Sequence, residues 1–199
     1  MTAILSPAPD ALGRSAVAHL SALLASSFQE DALTRWMIPD GRVRAELLPG
    51  FFRVFVELSA AHGGVLTTAD GDAVVLFLPP GAEPDEAALD AALAEALGGH
   101  VEALRVISAL QAEHHPKDRA HYYISFGAVR AGRQQGGLMS ALLGEVLSRA
   151  DAEGVGAYTE ASSPGGEAAT RRTGFDRLGA DIVLPGGGPA LRPMWRDPR

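Results

Sequence analysis

The stretch that decides the fold is residues 121–150, HYYISFGAVRAGRQQGGLMSALLGEVLSRA. Its first third has the alternating period of a strand and predicts that the even-numbered residues from Tyr122 to Ala128 share one face. Its last half repeats apolar residues every three or four positions from Leu138 to Leu147, which predicts an amphipathic helix. Between them lie Gly132, Gly136 and Gly137, which leave backbone amides at the helix start open to an anion. The stretch therefore predicts a strand, a turn and a helix suited to a phosphate group.

Two common phosphate-binding motifs do not fit this turn. A P-loop requires Gly-Lys-Ser/Thr at the helix start, and no glycine in the chain is followed by lysine. The dinucleotide fingerprint requires Gly-x-Gly-x-x-Gly in a parallel βαβ unit, and the glycines between 132 and 137 have a different spacing. A different phosphate-containing ligand is therefore expected here.

Composition narrows the class of protein. The 199 residues suit one domain, and the 47% of hydrophobic residues is ample for its core. The net charge of −7 argues against a nucleic-acid surface, and no run of 18 apolar residues predicts a membrane span. Residues 1–10 show no secretory signal, and the chain contains no cysteine, so we expect a cytoplasmic protein without disulfides or thiolate metal sites.

The order of the predicted elements indicates an α/β protein. We expect residues 1–12 to form a flexible lead-in and residues 13–199 a single domain. The predicted sheet is mostly antiparallel, with one parallel pair around the central helix. Helices are predicted at 14–28, 31–38, 42–62, 85–97, 101–113, 138–150 and 166–172, and strands at 65–68, 73–78, 121–129, 157–162, 176–184 and 191–196.

The turn at residues 134–139, QQGGLM, resembles the Gln/Arg-x-x-Gly-x-Gly/Ala pyrophosphate arm of the GNAT family of N-acetyltransferases. The resemblance extends over most of the chain, to AYTEASSPGGEAATRRTGF at 157–175 and MWRDP at 194–198. The lead-in HHPKDRAHYY at 114–123 is most similar to the branch that contains puromycin N-acetyltransferase. One departure is Met139, which stands where the motif has a small residue.

The resemblance implies a GNAT fold, in which helices flank a mixed, mostly antiparallel central sheet. It also implies acetyl-CoA as cosubstrate and a small-molecule amine as acceptor, of the antibiotic or secondary-metabolite type. The implied coenzyme contacts come from the backbone at the end of the fourth strand and from the pyrophosphate arm with its first helical turn. These residues are Ala128, Val129, Arg130, Gln134, Gln135, Gly136, Gly137, Leu138, Met139 and Ser140.

The same resemblance implies roles for several side chains. Glu160 matches the strand glutamate of the family and is the candidate base, with His121 as an alternative. Tyr158, on the same strand face, could help to hold the substrate ammonium. Arg35 and Trp36 are placed near the acceptor pocket.

The position of the family's general acid is altered. Thr170 stands where a tyrosine is usual, four residues before Gly174, and threonine is a much poorer acid than a phenol. The reaction then proceeds without that acid, or Tyr122 or Tyr123 replaces it. The alternative is a GNAT-fold protein whose transfer site is degenerate and repurposed for another reaction or for binding a ligand or acyl-CoA.

Other partners and sites remain as hypotheses. A structural or regulatory partner protein is a third interpretation, and a homodimer is left open. His114, His115 and His121 are close in sequence but have no further clustered ligands, which favours a helix end over a metal site. We therefore expect no metal.

Overall fold

The computed structural model describes residues 3–8 and 11–199. Over these residues an eight-stranded sheet is flanked by seven α-helices. The strands are β1 Ile4–Leu5, β2 Val65–Thr68, β3 Ala73–Leu78, β4 His121–Val129, β5 Gly156–Ala161, β6 Asp176–Arg177, β7 Ile182–Val183 and β8 Ala190–Arg196. The helices are α1 Arg14–Phe28, α2 Ala32–Met37, α3 Gly41–Ala61, α4 Glu86–Leu97, α5 Val101–His114, α6 Leu138–Glu153 and α7 Pro164–Arg171.

The sheet has the predicted mixed topology. Its order is β1-β2-β3-β4-β5-β8-β6, with β7 also paired to β8. The pair β4–β5 is parallel and all the other described pairs are antiparallel. A parallel pair needs a crossover, and α6 supplies it. The predicted α/β class with a mostly antiparallel sheet is confirmed.

Local capping residues define most helix starts. Asp31 accepts from the amide of Leu33 at the start of α2, and Asp40 accepts from the amides of Arg42 and Val43 at the start of α3. Asp85 and Ser163 cap α4 and α7 in the same way. Each cap satisfies amides that a helix cannot pair internally.

Two hydrophobic cores lie on opposite faces of the sheet. The larger one joins α1, α3, α4 and α5 to β2, β3, β4 and the C-terminal strands. The smaller one packs α6 against β3, β4 and β5. Among the described helices, none combines the length and apolar character needed to cross a bilayer.

The alternation predicted for β4 is wrong beyond its middle. Phe77 pairs with Ile124 and Leu76 pairs with Phe126, so Ser125 is an extra residue in β4 and forms a bulge. A one-residue bulge exchanges the two faces of the strand beyond it. Ile124 therefore packs in the core beside α6, whereas Phe126 and Ala128 pack in the larger core.

The ends of the chain also differ from the prediction. Ile4 and Leu5 pair with Thr68 and Thr67, so part of the expected flexible lead-in is an edge strand. The rest of that lead-in includes residues 1, 2, 9 and 10, which lie outside the described residues. The strand predicted at 176–184 is two short strands, because β6 and β7 pair separately with β8.

Candidate active site

The parallel strands β4 and β5 separate partway along their length. They pair only from His121–Gly156 to Tyr123–Tyr158. Beyond that point Thr159 donates its hydroxyl to the carbonyl oxygen of Ile124 at 2.8 Å, so a side chain replaces the strand ladder. The separation leaves an opening in the sheet.

A cavity of about 620 Å³ occupies this opening and is lined by residues from all seven helices. On one side of the sheet its wall includes Phe28, Phe55 and Ile107, and on the other side it includes Met139 and Thr170. A cavity of this size suits a small-molecule site. It connects the two faces of the sheet, so two ligands that enter from opposite faces can meet there.

The start of α6 differs from most other helix starts. Within the described residues its first turn has no side-chain cap, whereas α2, α3, α4 and α7 are each capped by an Asp or Ser side chain. A 3-10 turn at Gln134–Gly136 and the left-handed Gly137, with φ of 69°, lead directly into the helix. The free amides of the first turn, together with the helix dipole, favour an anion at this end.

Two arginines tie this turn to the β2–β3 hairpin. Arg130 forms an ion pair with Asp72, and Arg133 lies 3.2 Å from the second oxygen of the same carboxylate. Arg133 also lies 3.6 Å from Asp70. The two arginine side chains are about half exposed, so they fix the loop while part of each guanidinium group remains accessible.

Met139 packs inside the cavity rather than beside it. A Cβ added at Gly127 would lie 2.9 Å from Met139 Cε, so the absence of a side chain at Gly127 makes room for the thioether. Met139 and Gly127 both line the cavity. The side chain therefore narrows the part of the cavity nearest α6.

Glu160 is the acidic group at the opening of the sheet. Its Oε2 accepts from the hydroxyl of Tyr123 at 3.0 Å and from the amide of Gln111 at 3.3 Å. Its Oε1 is buried and has no hydrogen-bond partner within the part of the chain that the structure describes. Burial raises the pKa of Glu160 above its ordinary value, and the nearby hydroxyl of Tyr158, the hydroxyl of Tyr123 and the amide of Gln111 offset only part of that rise. A carboxylate with one free oxygen is equipped to accept a proton or to hold an ammonium group.

Two histidines lie at the same end of the cavity, where the ring of His115 is 4.9 Å from that of Tyr123 and 4.9 Å from that of His121. His121 Nδ1 lies 2.9 Å from the carbonyl oxygen of Arg119 and must carry a proton to bond there. In the neutral ring Nε2 of His121 is then an acceptor, and Nε2 of His115, 3.0 Å away, is the donor. His115 lines the cavity, and burial, reinforced by His121 and Lys117, lowers its pKa to about 4. No group of three His, Asp or Glu residues in the described chain is arranged to hold a metal ion.

Thr170 lies on α7 and lines the cavity. Its hydroxyl donates to the carbonyl oxygen of Gly166 at 2.9 Å, the usual back-bond of a helical threonine. The helix is held by Glu167, which receives hydrogen bonds from Arg177 at 2.8 Å and Arg171 at 3.1 Å. These bonds, with that of Arg177 the largest influence, lower the pKa of Glu167 to about 2.

Tyr122 does not reach the cavity. Its hydroxyl donates to Glu153 at 2.6 Å, and its ring packs against Phe77 in the core beside α6. Burial, reinforced by the hydrogen bond to Glu153, raises the pKa of Tyr122 to about 12. Tyr123 is the tyrosine of this pair that lines the cavity.

The residues expected to bind substrate, Arg35, Trp36 and Tyr158, are not part of the cavity lining. Tyr158 is fully buried, and its ring lies 5.0 Å from that of His115 and 5.9 Å from that of Tyr123. The Arg35 side chain is 61% exposed and points to Glu30. A Cβ at Gly188 would lie 2.6 Å from Trp36 Nε1, so the indole packs under the C-terminal loop.

The backbone positions expected to contact the coenzyme also lie at different depths. Of the expected positions, Ala128 and Val129 are buried in β4 beyond the cavity. The three residues of β4 before them, Ser125, Phe126 and Gly127, line the cavity. Gln134, Gly136 and Gly137 of the turn are exposed and the start of α6 is partly exposed, and both lie at the other end of the same loop.

The sequence did not identify Gln111 or His115 as members of this site. Gln111 lies 49 positions from Glu160 in the chain and meets it only in the fold. The one local signal was the helical spacing, which places Gln111 and His115 four residues apart on the same face of α5 and at its end.

Comparison with solved structures identifies the fold. The chain superposes on a Corynebacterium glutamicum protein described as histone acetyltransferase HPA2 and related acetyltransferase, with a TM-score of 0.70 and 22% identity over 100% of this chain and 98% of that one. It superposes on arylalkylamine N-acetyltransferase 2 from Aedes aegypti with a TM-score of 0.64 and 13% identity over 99% of each chain. A Drosophila melanogaster polyamine N-acetyltransferase gives a TM-score of 0.61 and 16% identity over 98% of this chain and 100% of that one. No family model and no curated protein matches the sequence. The shared architecture shows that this chain has the GNAT fold.

Proposed function

We propose that this protein is an acetyl-CoA-dependent N-acetyltransferase, an acyltransferase that acts on the amine of a small molecule. The observation that carries the proposal is the cavity through the sheet, which joins α6 on one face to the free oxygen of Glu160 on the other. The acceptor is proposed to be of the antibiotic or secondary-metabolite type, which the resemblance of residues 114–123 to the puromycin N-acetyltransferase branch supports. The superposed acetyltransferases support acetyl transfer in general.

The residues at the start of α6 fit the pyrophosphate of the coenzyme. The helix start is uncapped, Gly137 has no side chain, and the half-exposed guanidinium groups of Arg130 and Arg133 lie beside the turn, although Asp70 and Asp72 balance their charge. Amides at a helix start and nearby guanidinium groups are both favourable to phosphate. Bound acetyl-CoA would supply an acetyl thioester to the cavity. The backbone at the end of β4, Ala128 to Arg130, is proposed to contact its pantetheine arm.

Glu160 is proposed to take the proton that the attacking amine must lose. Its free Oε1 and its raised pKa suit a base that works near neutral pH. His115 lines the same end of the cavity, and because burial lowers its pKa to about 4 it stays uncharged near neutral pH and leaves Glu160 as the base. Tyr123 and Gln111 orient the carboxylate through its other oxygen.

The departing thiolate needs little help from an acid. The Thr170 hydroxyl is already donated to Gly166, and a threonine is a weak acid in any case. A thiol has a pKa of about 8.5, so its thiolate leaves without prior protonation. We therefore propose that Thr170 shapes the cavity and that no side chain must protonate the thiolate.

The test is calorimetric titration of acetyl-CoA into the protein with two matched variants. Gly137 is in the left-handed region and a Cβ there meets nothing within 4 Å. Asn and Asp both tolerate this conformation, so Gly137→Asn and Gly137→Asp differ mainly in charge. We expect Gly137→Asn to bind acetyl-CoA within about tenfold of the original protein, and Gly137→Asp to bind at least tenfold more weakly than Gly137→Asn. Absence of binding to the unmodified protein at millimolar acetyl-CoA would rule out the proposal.

One observation favours a second function, the binding of a ligand or acyl-CoA without acetyl transfer. Met139 occupies cavity space against Gly127 on the side of α6. Release of free thiol from acetyl-CoA in the presence of a panel of amines distinguishes the two functions. Binding of acetyl-CoA without thiol release for any amine would support the second.

A further inference from the structure

We propose that the acceptor is a primary amine with a single positive charge on an aryl or other apolar body, and that diamines and polyamines are excluded. This inference rests on the proposed function and specifies its substrate class. It is drawn from the distribution of charge and aromatic rings along the cavity wall.

The wall formed by the N-terminal helices is apolar and rich in aromatic rings. The Phe126 ring lies 5.0 Å from that of Phe55, 5.7 Å from that of Phe28 and 6.3 Å from that of Phe51, mostly in edge contact. All four rings line the cavity. The bulge at Ser125 is responsible for this cluster, because without it Phe126 would face α6. Such a cluster offers ring faces and edges to an aromatic body.

The helices α4 and α5 extend this apolar wall. Leu89 and Leu93 of α4 and Leu104 and Ile107 of α5 line the same cavity. Leu93, Leu104 and Ile107 are buried, and Leu89 is half-buried. A hydrocarbon chain or ring placed here loses contact with water on several sides, which favours its binding.

Charged groups are confined to one end of the cavity. Within the described chain, Glu160 is the only acidic residue of the lining and Lys117 is its only lysine or arginine. Lys117 lies near enough to His115 to lower the pKa of that histidine, so both belong to the same end as Glu160. The rest of the wall offers no carboxylate to a second cation. Burial of an unpaired charge in an apolar wall is strongly unfavourable.

Acetyl transfer to such an amine needs no reactant other than the amine, acetyl-CoA, Glu160 and water. A bond forms between the amine nitrogen and the acetyl carbon while the bond from that carbon to sulfur breaks. Glu160 takes the proton that the ammonium loses before attack, and water takes the second proton, which the nitrogen loses as the amide forms. The coenzyme leaves as a thiolate, which takes a proton from water.

The first experiment compares 3-phenylpropylamine with 1,4-diaminobutane in the thiol-release assay. We expect kcat/KM to be at least a hundredfold higher for the arylalkylamine. We also expect it to rise about fourfold for each methylene added between the ring and the amine, from benzylamine to 3-phenylpropylamine. Equal or better use of the diamine would overturn the inference.

The second experiment adds a carboxylate to the apolar wall. The half-buried Leu89 lines the cavity, so Leu89→Glu should raise kcat/KM for 1,4-diaminobutane at least tenfold. Val106 is 38% exposed on α5 and is not part of the lining, so Val106→Glu makes the same change in charge as a control and should leave it unchanged. An unchanged diamine rate in folded Leu89→Glu, checked by circular dichroism, would contradict the inference.

Binding measurements separate this inference from the proposed function. Thermal shift with each amine alone requires no acetyl-CoA. Greater stabilisation by 3-phenylpropylamine than by 1,4-diaminobutane would support the acceptor class even if calorimetry detects no acetyl-CoA binding. Binding of acetyl-CoA together with preferential stabilisation by the diamine would overturn the acceptor class and leave the proposed function standing.

Discussion

Replacement of Glu160 by Gln should lower activity and raise stability at the same time. The side chains have nearly the same shape, so the amide oxygen of Gln can keep the hydrogen bonds from Tyr123 and Gln111, now 3.0 and 3.3 Å long. What disappears is the basic carboxylate with its free Oε1. General base catalysis is worth about 10²–10⁴-fold, so kcat should fall by that factor, or about 3–5 kcal/mol in activation free energy.

The stability change follows from the direction of the pKa shift. Burial raises the pKa of Glu160 in the folded protein, so the folded state binds its proton more tightly than the unfolded state does. The wild-type protein therefore loses stability as pH rises from the ordinary glutamate pKa of 4.5 through the raised folded value, and the loss persists above it. Glu160→Gln lacks this titration. Its free energy of unfolding should exceed that of the wild type by an amount that grows with pH.

The assays are thiol release from acetyl-CoA with 3-phenylpropylamine and urea unfolding at a series of pH values from 5 to 8. Thr170→Ala is the control variant, because Thr170 lines the same cavity but is expected to keep turnover within about tenfold. Two results would refute the reasoning: Glu160→Gln that keeps kcat within threefold, or Glu160→Gln that is less stable than the wild type throughout this range. Either result would mean that the Glu160 carboxylate has a structural role and not a catalytic one.

Two further predictions concern stability. Arg177 lowers the pKa of Glu167 to about 2, so this pair stabilises the fold above pH 4.5 and its contribution is lost as pH falls toward 2. Urea unfolding at a series of pH values, followed by circular dichroism, should show that Glu167→Gln is less stable than the wild type at pH 6. The difference in free energy of unfolding should shrink as the pH falls, and a difference that stays constant would contradict the role given to this ion pair. A Cβ at Gly156 would lie 2.1 Å from the Trp195 ring, so Gly156→Ala should cost about 1–3 kcal/mol in urea unfolding. A Cβ at Gly144 in α6 would meet nothing within 4 Å, so Gly144→Ala should instead stabilise the fold by about 0.5–1 kcal/mol. Equal effects of the two substitutions would disprove the predicted clash between residue 156 and Trp195.

The sequence by itself determined the elements and their order. Helix periodicity and an N-cap such as Asp31 are contained within a few consecutive residues, so they can be read without the fold. Most predicted helices agree with the structure to within a few residues at each end. The strand, turn and helix at 121–150 are equally local, and their order with the neighbouring segments indicated the GNAT fold.

Only the tertiary structure decided the faces of β4 and the composition of the site. The bulge at Ser125 depends on pairing with β3, and it moves Phe126 to the opposite face from the one that simple alternation predicts. Tyr122 and Tyr123 are adjacent in sequence, yet the fold directs Tyr122 to Glu153 and Tyr123 to Glu160. Glu160 itself was predicted, but its partners Tyr123 and Gln111 lie 37 and 49 positions away. Contacts over such separations depend on how strands and helices pack, and a local sequence pattern does not contain that information.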